Sequence, residues 1–139
     1  RARFEYSNTS CKFYHPAGND NCSYRQVIYF AGYRYHGRNI GHSTDADSES
    51  VVADFSLVRA GGDTWTLKLR RSLLDRRGGV DPYNPITRGP GESKSAQIGW
   101  TGQVLGQSIS LQAGVERNER GAGGPRTRGF GFLQWQTSL

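Results

Sequence analysis

The chain has 139 residues, enough for one domain, and carries a net charge of +6. Hydrophobic residues make up 35%, a low share for a globular domain, although Gly, Tyr and Phe are frequent and there are three Trp. No apolar run approaches the roughly 20 residues of a transmembrane helix, and no RNA-binding or helix-turn-helix signature directs the positive charge to nucleic acid. This composition suits either a membrane barrel with a polar interior or a soluble β-sandwich with one wet face.

The first segment, Arg1 to Tyr6, alternates apolar and polar residues and predicts a strand that starts the chain without an initiator Met. We expect a processed chain or a fragment. A polar segment, Asn8 to Ser23, follows and contains Cys11 and Cys22. A local disulfide would contribute about 3 kcal/mol and would indicate an oxidising compartment, although two unpaired thiols remain an alternative. Neither cysteine has partners at zinc spacing, so we expect no metal and no cofactor.

Period-two alternation dominates the rest of the chain. Tyr24 to Tyr33 is strand-like but alternates poorly. A hairpin is predicted around the turn 59–63, with Phe55 and Leu57 before it and Trp65, Leu67 and Leu69 after it. A second hairpin is predicted around 105–107, with Ile98 and Trp100 before the turn and Leu111 after it. The last strand is predicted from about Thr127 to Leu139 and contains Trp135. We therefore predict an all-β chain, an antiparallel meander of about six strands.

The lengths of the connections favour a membrane barrel. The turns at 59–63 and 105–107 are short, whereas the links at about 34–50, 71–93 and 117–126 are long and rich in Gly, Pro and charge. Outer-membrane barrels have short periplasmic turns and long external loops. Counting back from a last strand that ends in the periplasm places the three long links outside. The same count places Asn8 to Ser23 in the periplasm despite its length.

The densest polar constellation lies between Tyr33 and Glu49. Tyr33 and Tyr35 offer flat rings for sugar stacking, and Arg38 offers a fork of donors for carboxylates. Acidic residues here resemble part of a calcium loop but lack its full pattern. No nucleophile motif accompanies the acid–base pair His42 and Asp45. An equally good alternative is that Arg38, His42, Asp45 and Asp47 hydrogen-bond one another and only order a long loop.

A basic segment, Arg70 to Arg77, could attract an acidic polymer, although a solvated loop is the commoner explanation for such a run. We predict that it joins the first constellation in one polysaccharide-binding surface, formed by Tyr33, Tyr35, Arg38, His42, Asp45, Asp47, Arg70, Arg71, Arg76 and Arg77.

A family resemblance rests on the same residues. The motif Gly32-Tyr33-Arg34-Tyr35-x-Gly37-Arg38-x-Ile40-Gly41-His42-Ser43-x-Asp45-x-Asp47-Ser48 resembles the signature of the capsule assembly Wzi family, with Ala46 where the family pattern has Asn. Glu5-Tyr6-Ser7 and the region from Arg70 to Pro85 are similar to its C-terminal half. The resemblance implies a transmembrane outer-membrane β-barrel that binds capsular polysaccharide and helps hold the capsule on the cell surface.

On this basis residues 1–139 form the C-terminal portion of a single barrel domain, completed by N-terminal strands of the same barrel. The predicted partners are capsular polysaccharide and outer-membrane lipid, without nucleic acid, and the predicted role is not enzymatic. Two alternatives stay open: a secreted polysaccharide hydrolase or lyase on a β-scaffold, and a soluble β-sandwich carbohydrate-binding module. A glycosidase needs two carboxylates at a fixed separation, and nothing in the sequence pairs those available.

Overall fold

The computed structural model describes residues 1–10, 34–35, 38–39, 44, 47–76, 89–120 and 124–136. These residues form eight strands and no helix long and apolar enough to cross a membrane. The strands are β1 (Ala2–Asn8), β2 (Arg34–Tyr35), β3 (Arg38–Asn39), β4 (Glu49–Val58), β5 (Thr64–Leu74), β6 (Gly91–Val104), β7 (Gln107–Arg120) and β8 (Pro125–Gln136).

Six of the strands form one sheet in the order β1-β4-β5-β6-β7-β8. Every neighbouring pair is antiparallel, while β2 and β3 pair separately as a short antiparallel ladder. The predicted all-β meander of about six strands is confirmed. The two predicted hairpins are β4–β5 and β6–β7, and both are present in the sheet.

The register separates the side chains into two faces, since successive residues of a strand point to opposite sides. The apolar face carries Phe4, Phe55, Leu67, Ile98 and Leu111, all of them exposed. Among the described residues the one buried hydrophobic side chain is Leu74, which is 4% exposed. A soluble sandwich would bury the apolar face, so the described residues do not form that alternative fold.

Apolar rows run across the strands. Trp65, Trp100, Leu111 and Leu133 are partners in successive registers, and the row above them contains Phe55, Leu67 and Ile98. Phe4 adds an edge-to-face contact with Phe55, with ring centroids 5.6 Å apart. One face of the sheet carries Trp65, Leu67, Leu69, Ile98, Trp100, Leu111 and Trp135.

Both predicted short turns are present, at what we call the short-turn end of the sheet. In the first, the Arg59 amide donates to the Asp63 carbonyl and the Gly62 amide to the Arg59 carbonyl, each at 2.9 Å. The second has two residues, Leu105 and Gly106, with φ of 52° and 77°. Positive φ at both positions is the type I′ geometry that matches strand twist. Gln107, predicted in this turn, is the first residue of β7.

Two of the long connections are shorter than predicted, because the strands continue past the apolar rows. Arg70 and Arg71 belong to β5, which ends at Leu74, and β6 begins at Gly91, so residues 75–90 form this connection. Likewise β7 extends to Arg120 and leaves residues 121–124 before β8. The sequence prediction ended each strand where its hydrophobic alternation ended, although charged and hydroxyl side chains continue the backbone ladder.

The first connection also differs from the prediction. Since β1 pairs directly with β4, residues 9–48 connect two neighbouring strands. They start and end at the same ends of the strands as residues 75–90 and 121–124. We call this side of the sheet the long-loop end. Asn8, Thr9 and Ser10 therefore lie at the long-loop end, whereas the prediction placed the segment Asn8 to Ser23 at the opposite end. The rest of that segment lies outside the described residues. The predicted placement followed from counting Tyr24 to Tyr33 as a strand of the meander, and those residues also lie outside the described part of the chain.

Candidate functional site

A group of buried polar side chains lies at the long-loop end of β1, β4 and β5. We call it the loop-end cluster, and its members are Thr9, Thr44, Asp47, Ser48, Ser50, Ser72 and Asp75. Hydroxyl and carboxylate groups are costly to bury without hydrogen bonds. The residues that meet here lie at 9–10, 44, 47–50 and 72–76, which are far apart in the chain, so the cluster exists only in the folded sheet.

Hydrogen bonds join these segments to one another. The Thr9 amide donates to the Ser48 carbonyl at 2.9 Å, and the Ser48 amide donates to Thr9 Oγ1 at 3.0 Å. The Arg76 amide donates to the Asp47 carbonyl at 3.1 Å. The hydroxyls of Ser50 and Ser72 lie 3.0 Å apart. The chain on both sides of the candidate motif is therefore fixed to the end of the sheet.

Asp47 is 2% exposed and has a φ of 52°, in the left-handed region. Its backbone accepts the Arg76 amide and donates to the Thr9 carbonyl at 3.3 Å. Such a residue is suited to terminating a loop, because Asp adopts this conformation more readily than most residues. The burial of Asp47 favours the alternative in which it orders the loop. Contact between its side chain and a polymer stays a prediction.

Within the candidate motif, β2 and β3 place Tyr35 and Arg38 as directly paired residues, and Arg34 pairs with Asn39. The backbone thus brings a predicted stacking residue and a predicted donor residue together. The positions of Tyr33, His42, Asp45 and Arg77 lie outside the described residues, as do Cys11 and Cys22. Their roles in binding, and the disulfide, stay predictions.

The three described arginines of the basic segment have different surroundings. Arg70 lies on the polar face and donates from Nε to Ser72 Oγ at 3.2 Å. Arg76, just past β5, donates from Nη1 to Glu49 Oε2 at 2.7 Å, and its side chain is 46% exposed. Arg71 lies on the apolar face, where it forms an ion pair with Glu92. Arg70 therefore lies beside the loop-end cluster on the polar face. Arg71 lies on the opposite, apolar face, which also carries Glu49, the partner of Arg76.

Polar groups border the apolar face at both ends. At the short-turn end, the indole nitrogens of Trp65 and Trp100 donate to Asp63 Oδ2 at 3.2 and 3.4 Å, and that of Trp135 donates to Gln107 Oε1 at 2.7 Å. Indoles with an apolar body and a bonded N–H are typical of a membrane–water boundary.

At the long-loop end, the border consists of Arg71, Lys94 and Arg117, which are partners in consecutive registers. We call these three residues the cationic row. Lys94 contacts Glu92 at 2.8 Å, and Arg117 contacts Glu119 at 2.8 Å. Sequence analysis included Arg71 but missed Lys94 and Arg117. Alternation places all three on one face, yet only the register shows that they are neighbours.

The two borders lie at a spacing that suits a bilayer. On β7, Gln107 and Arg117 are ten residues apart on the same face. This corresponds to roughly 34 Å along the strand. At a tilt of about 40° the spacing is roughly 26 Å along the membrane normal, against about 25 Å for the apolar band of outer-membrane barrels.

No group of three or more His, Cys, Asp or Glu side chains that could hold a metal ion is found within the part of the chain that the structure describes. The two described aspartates of the loop-end cluster, Asp47 and Asp75, are both buried. The cluster thus does not present two carboxylates on either side of a bound sugar, the arrangement that glycoside hydrolysis uses.

Comparisons with known proteins place this geometry in a family. A family model described as "Capsule assembly protein Wzi" matches residues 1–122. A solved structure from Escherichia coli, described as Wzi, an outer-membrane protein involved in group 1 capsule assembly and a carbohydrate-binding β-barrel, aligns with a TM-score of 0.67 and 20% identity. The match covers 99% of this chain and 30% of that chain. No curated protein matches. Because the family model spans most of the sequence, the chain belongs to the capsule assembly protein Wzi family.

Proposed function

We propose that the six-stranded sheet forms part of an outer-membrane β-barrel that binds capsular polysaccharide and helps attach the capsule to the cell surface. The observation that carries the proposal is the family match over residues 1–122. The apolar face supports it, since it is exposed across six strands and bordered by polar groups at a bilayer spacing. Because the chain spans 30% of the matched structure, further strands of the same protein would complete the barrel.

The polymer-binding surface in this proposal is the segment from Tyr33 to Asp47, together with Arg70, Arg76 and Arg77. The pairing of Tyr35 with Arg38 supports it, as do the positions of Arg70 and Arg76 beside the loop-end cluster. With the short-turn end in the periplasm, this end faces the cell exterior. Aromatic rings and arginine guanidinium groups each make weak contacts with a sugar. A repeating polymer makes many such contacts at once, so the total affinity rises by avidity.

The proposal predicts that replacing Tyr35, Arg38 and Arg76 together by Ala releases capsule from cells without preventing barrel assembly. The measurement is cell-associated against released polysaccharide, with assembly judged by heat-modifiable migration on gels. A matched control is the replacement of Arg126 and Arg128 by Ala. These arginines lie on the polar face of β8, at the opposite edge of the sheet, and the control is expected to retain capsule.

Two outcomes would contradict this assignment. If the triple variant assembles and retains capsule normally, the binding site lies elsewhere in the barrel. Failure of the triple variant to assemble, with a normal control, would make these residues structural. Incubation of the purified full-length protein with capsular polymer is expected to leave the polymer length unchanged, and shortening of the polymer would favour the hydrolase or lyase alternative.

A further inference from the structure

The cationic row lies where the apolar face ends. Two residues from each cation, on the same strand and toward the short-turn end, lies an apolar side chain. These side chains are Leu69, Ala96 and Val115, and they too pair with one another across the strands. The cationic row is therefore the first charged level above the apolar side chains at the long-loop end. Three cations occur at this level on three adjacent strands, with neighbouring strands about 4.8 Å apart.

The side chains of the row are open to the surroundings. Those of Arg71, Lys94 and Arg117 are 61%, 52% and 55% exposed, whereas the Glu92 side chain between two of them is 20% exposed. Glu92 accepts from Arg71 Nε and lies 2.8 Å from Lys94 Nζ. A single carboxylate, one level beyond the row toward the long-loop end, thus contacts two of the three cations. The bond through Nε leaves the terminal nitrogens of Arg71 for an outside acceptor.

The position of the cationic row indicates which chemical group this acceptor is. If the apolar face contacts lipid chains, as the proposed function requires, the groups at the level of the row are lipid headgroups. Phosphate oxygens are strong acceptors for Arg and Lys, and clustered Lys and Arg bind anionic lipid headgroups at a membrane surface. The opposite border, with three indoles bonded to Asp63 and Gln107, has no comparable row among the described residues.

We propose that Arg71, Lys94 and Arg117 form a binding site for the phosphate groups of lipid headgroups in the outer leaflet. This proposal rests on the proposed function only through the membrane location of the sheet, and it does not require polysaccharide binding. It gives Arg71 a partner on the apolar face, opposite the polar face that carries Arg70.

The test uses the full-length protein in neutral detergent, with native mass spectrometry to count bound lipid. The probe is a bisphosphorylated, acylated glucosamine disaccharide (lipid A), compared with its dephosphorylated form. The wild type is expected to prefer the phosphorylated lipid by at least about tenfold. The variant R71Q/K94Q/R117Q is expected to lose that preference. The control K68Q/R126Q/R128Q removes the same charge from the polar face and is expected to keep it.

Several results would overturn the proposal. These are equal binding of both lipids by the wild type, an unchanged preference in the triple variant, and an equal loss in the control. Competition by millimolar inorganic phosphate would show a general anion site instead of a lipid site. If the triple variant fails to assemble, the wild-type preference and the single variant K94Q decide.

Polymer binding by the triple variant, measured in parallel, is expected to be unchanged, and its loss with intact lipid preference would assign Arg71 to the polymer. Recovery of the full-length protein without detergent would instead contradict the proposed function.

Discussion

Thr9 and Ser48 illustrate how single side chains hold the candidate site. Thr9 Oγ1 accepts from the Ser48 amide at 3.0 Å and donates to the Ser48 carbonyl at 3.3 Å. Replacing Thr9 by Val keeps the shape and the backbone bond but leaves the buried Ser48 N–H without this acceptor. We expect the free energy of unfolding to fall by about 1–3 kcal/mol, measured by urea titration of the full-length protein in lipid vesicles.

Thr127 provides the control for that change. It is exposed on the apolar face of β8, so Thr127→Val is expected to change the unfolding free energy by less than about 0.5 kcal/mol. Equal urea midpoints for the two variants would mean that the Thr9 hydroxyl does not stabilise the loop-end cluster.

The burial of individual residues in the candidate site could not be predicted from the sequence. A motif of Tyr, Arg, His and Asp predicts chemistry, and Tyr35 and Arg38 are indeed brought together. Whether an acidic residue faces solvent depends on which distant segments cover it. Asp47 is buried because Thr9 and Arg76 bond to its backbone, and those contacts join positions about 30 to 40 residues apart in the chain. Local spacing carries no information about such contacts.

At the scale of the strands, close approach between β7 and β8 depends on a glycine. A Cβ added at Gly114 would collide with the Phe130 ring and would lie 2.9 Å from the Ala96 carbonyl oxygen. The ring can rotate away, but the carbonyl belongs to the β6 ladder. Gly114→Ala is therefore expected to destabilise the sheet by about 1–3 kcal/mol, measured as a lower urea midpoint in vesicles.

Gly131, on the neighbouring strand β8, provides the control. A Cβ there would meet its nearest atom, the Gln112 carbonyl oxygen, at 3.8 Å, which is an ordinary contact. Gly131→Ala is expected to be neutral or slightly stabilising. An equal loss of stability in both variants would show that the effect is not caused by the crowding at Gly114.

The strands themselves were largely predictable, whereas their ends were not. Period-two alternation located β4 to β8 and assigned Trp65, Ile98 and Leu111 to one face, because burial against an apolar medium forces that pattern. Beyond the apolar rows β6 and β7 carry polar side chains on both faces of the sheet, among them Lys94 and Asn118. Apolar and polar residues do not alternate there, so the sequence pattern predicted that the loops begin several residues too early.

For the molecule as a whole, the main question is which face contacts lipid. Leu111 and Gln112 are adjacent, lie midway between the two borders on β7, and point to opposite faces. We expect Leu111→Lys to destabilise the vesicle-inserted protein by about 2–4 kcal/mol, as for a charge at the bilayer midplane. In the Gln112→Lys variant the new lysine lies on the polar face, so we expect little change in stability. Equal tolerance of the two lysines would contradict lipid contact by the apolar face.

The pairing of β1 with β4 has a consequence for the order in which the protein folds. From β4 to β8 each strand pairs with the next one along the chain, so these hairpins can form in succession by closing 16 residues or fewer. β1 must instead close about 40 residues, against five between β4 and β5. At about 0.6 kcal/mol per doubling of loop length, the closure entropy is about 2 kcal/mol less favourable. We expect β1 to dock last. Because Thr9 follows β1 directly, the loop-end cluster would then be assembled in this final step, so completing the sheet and forming the candidate site would be one event.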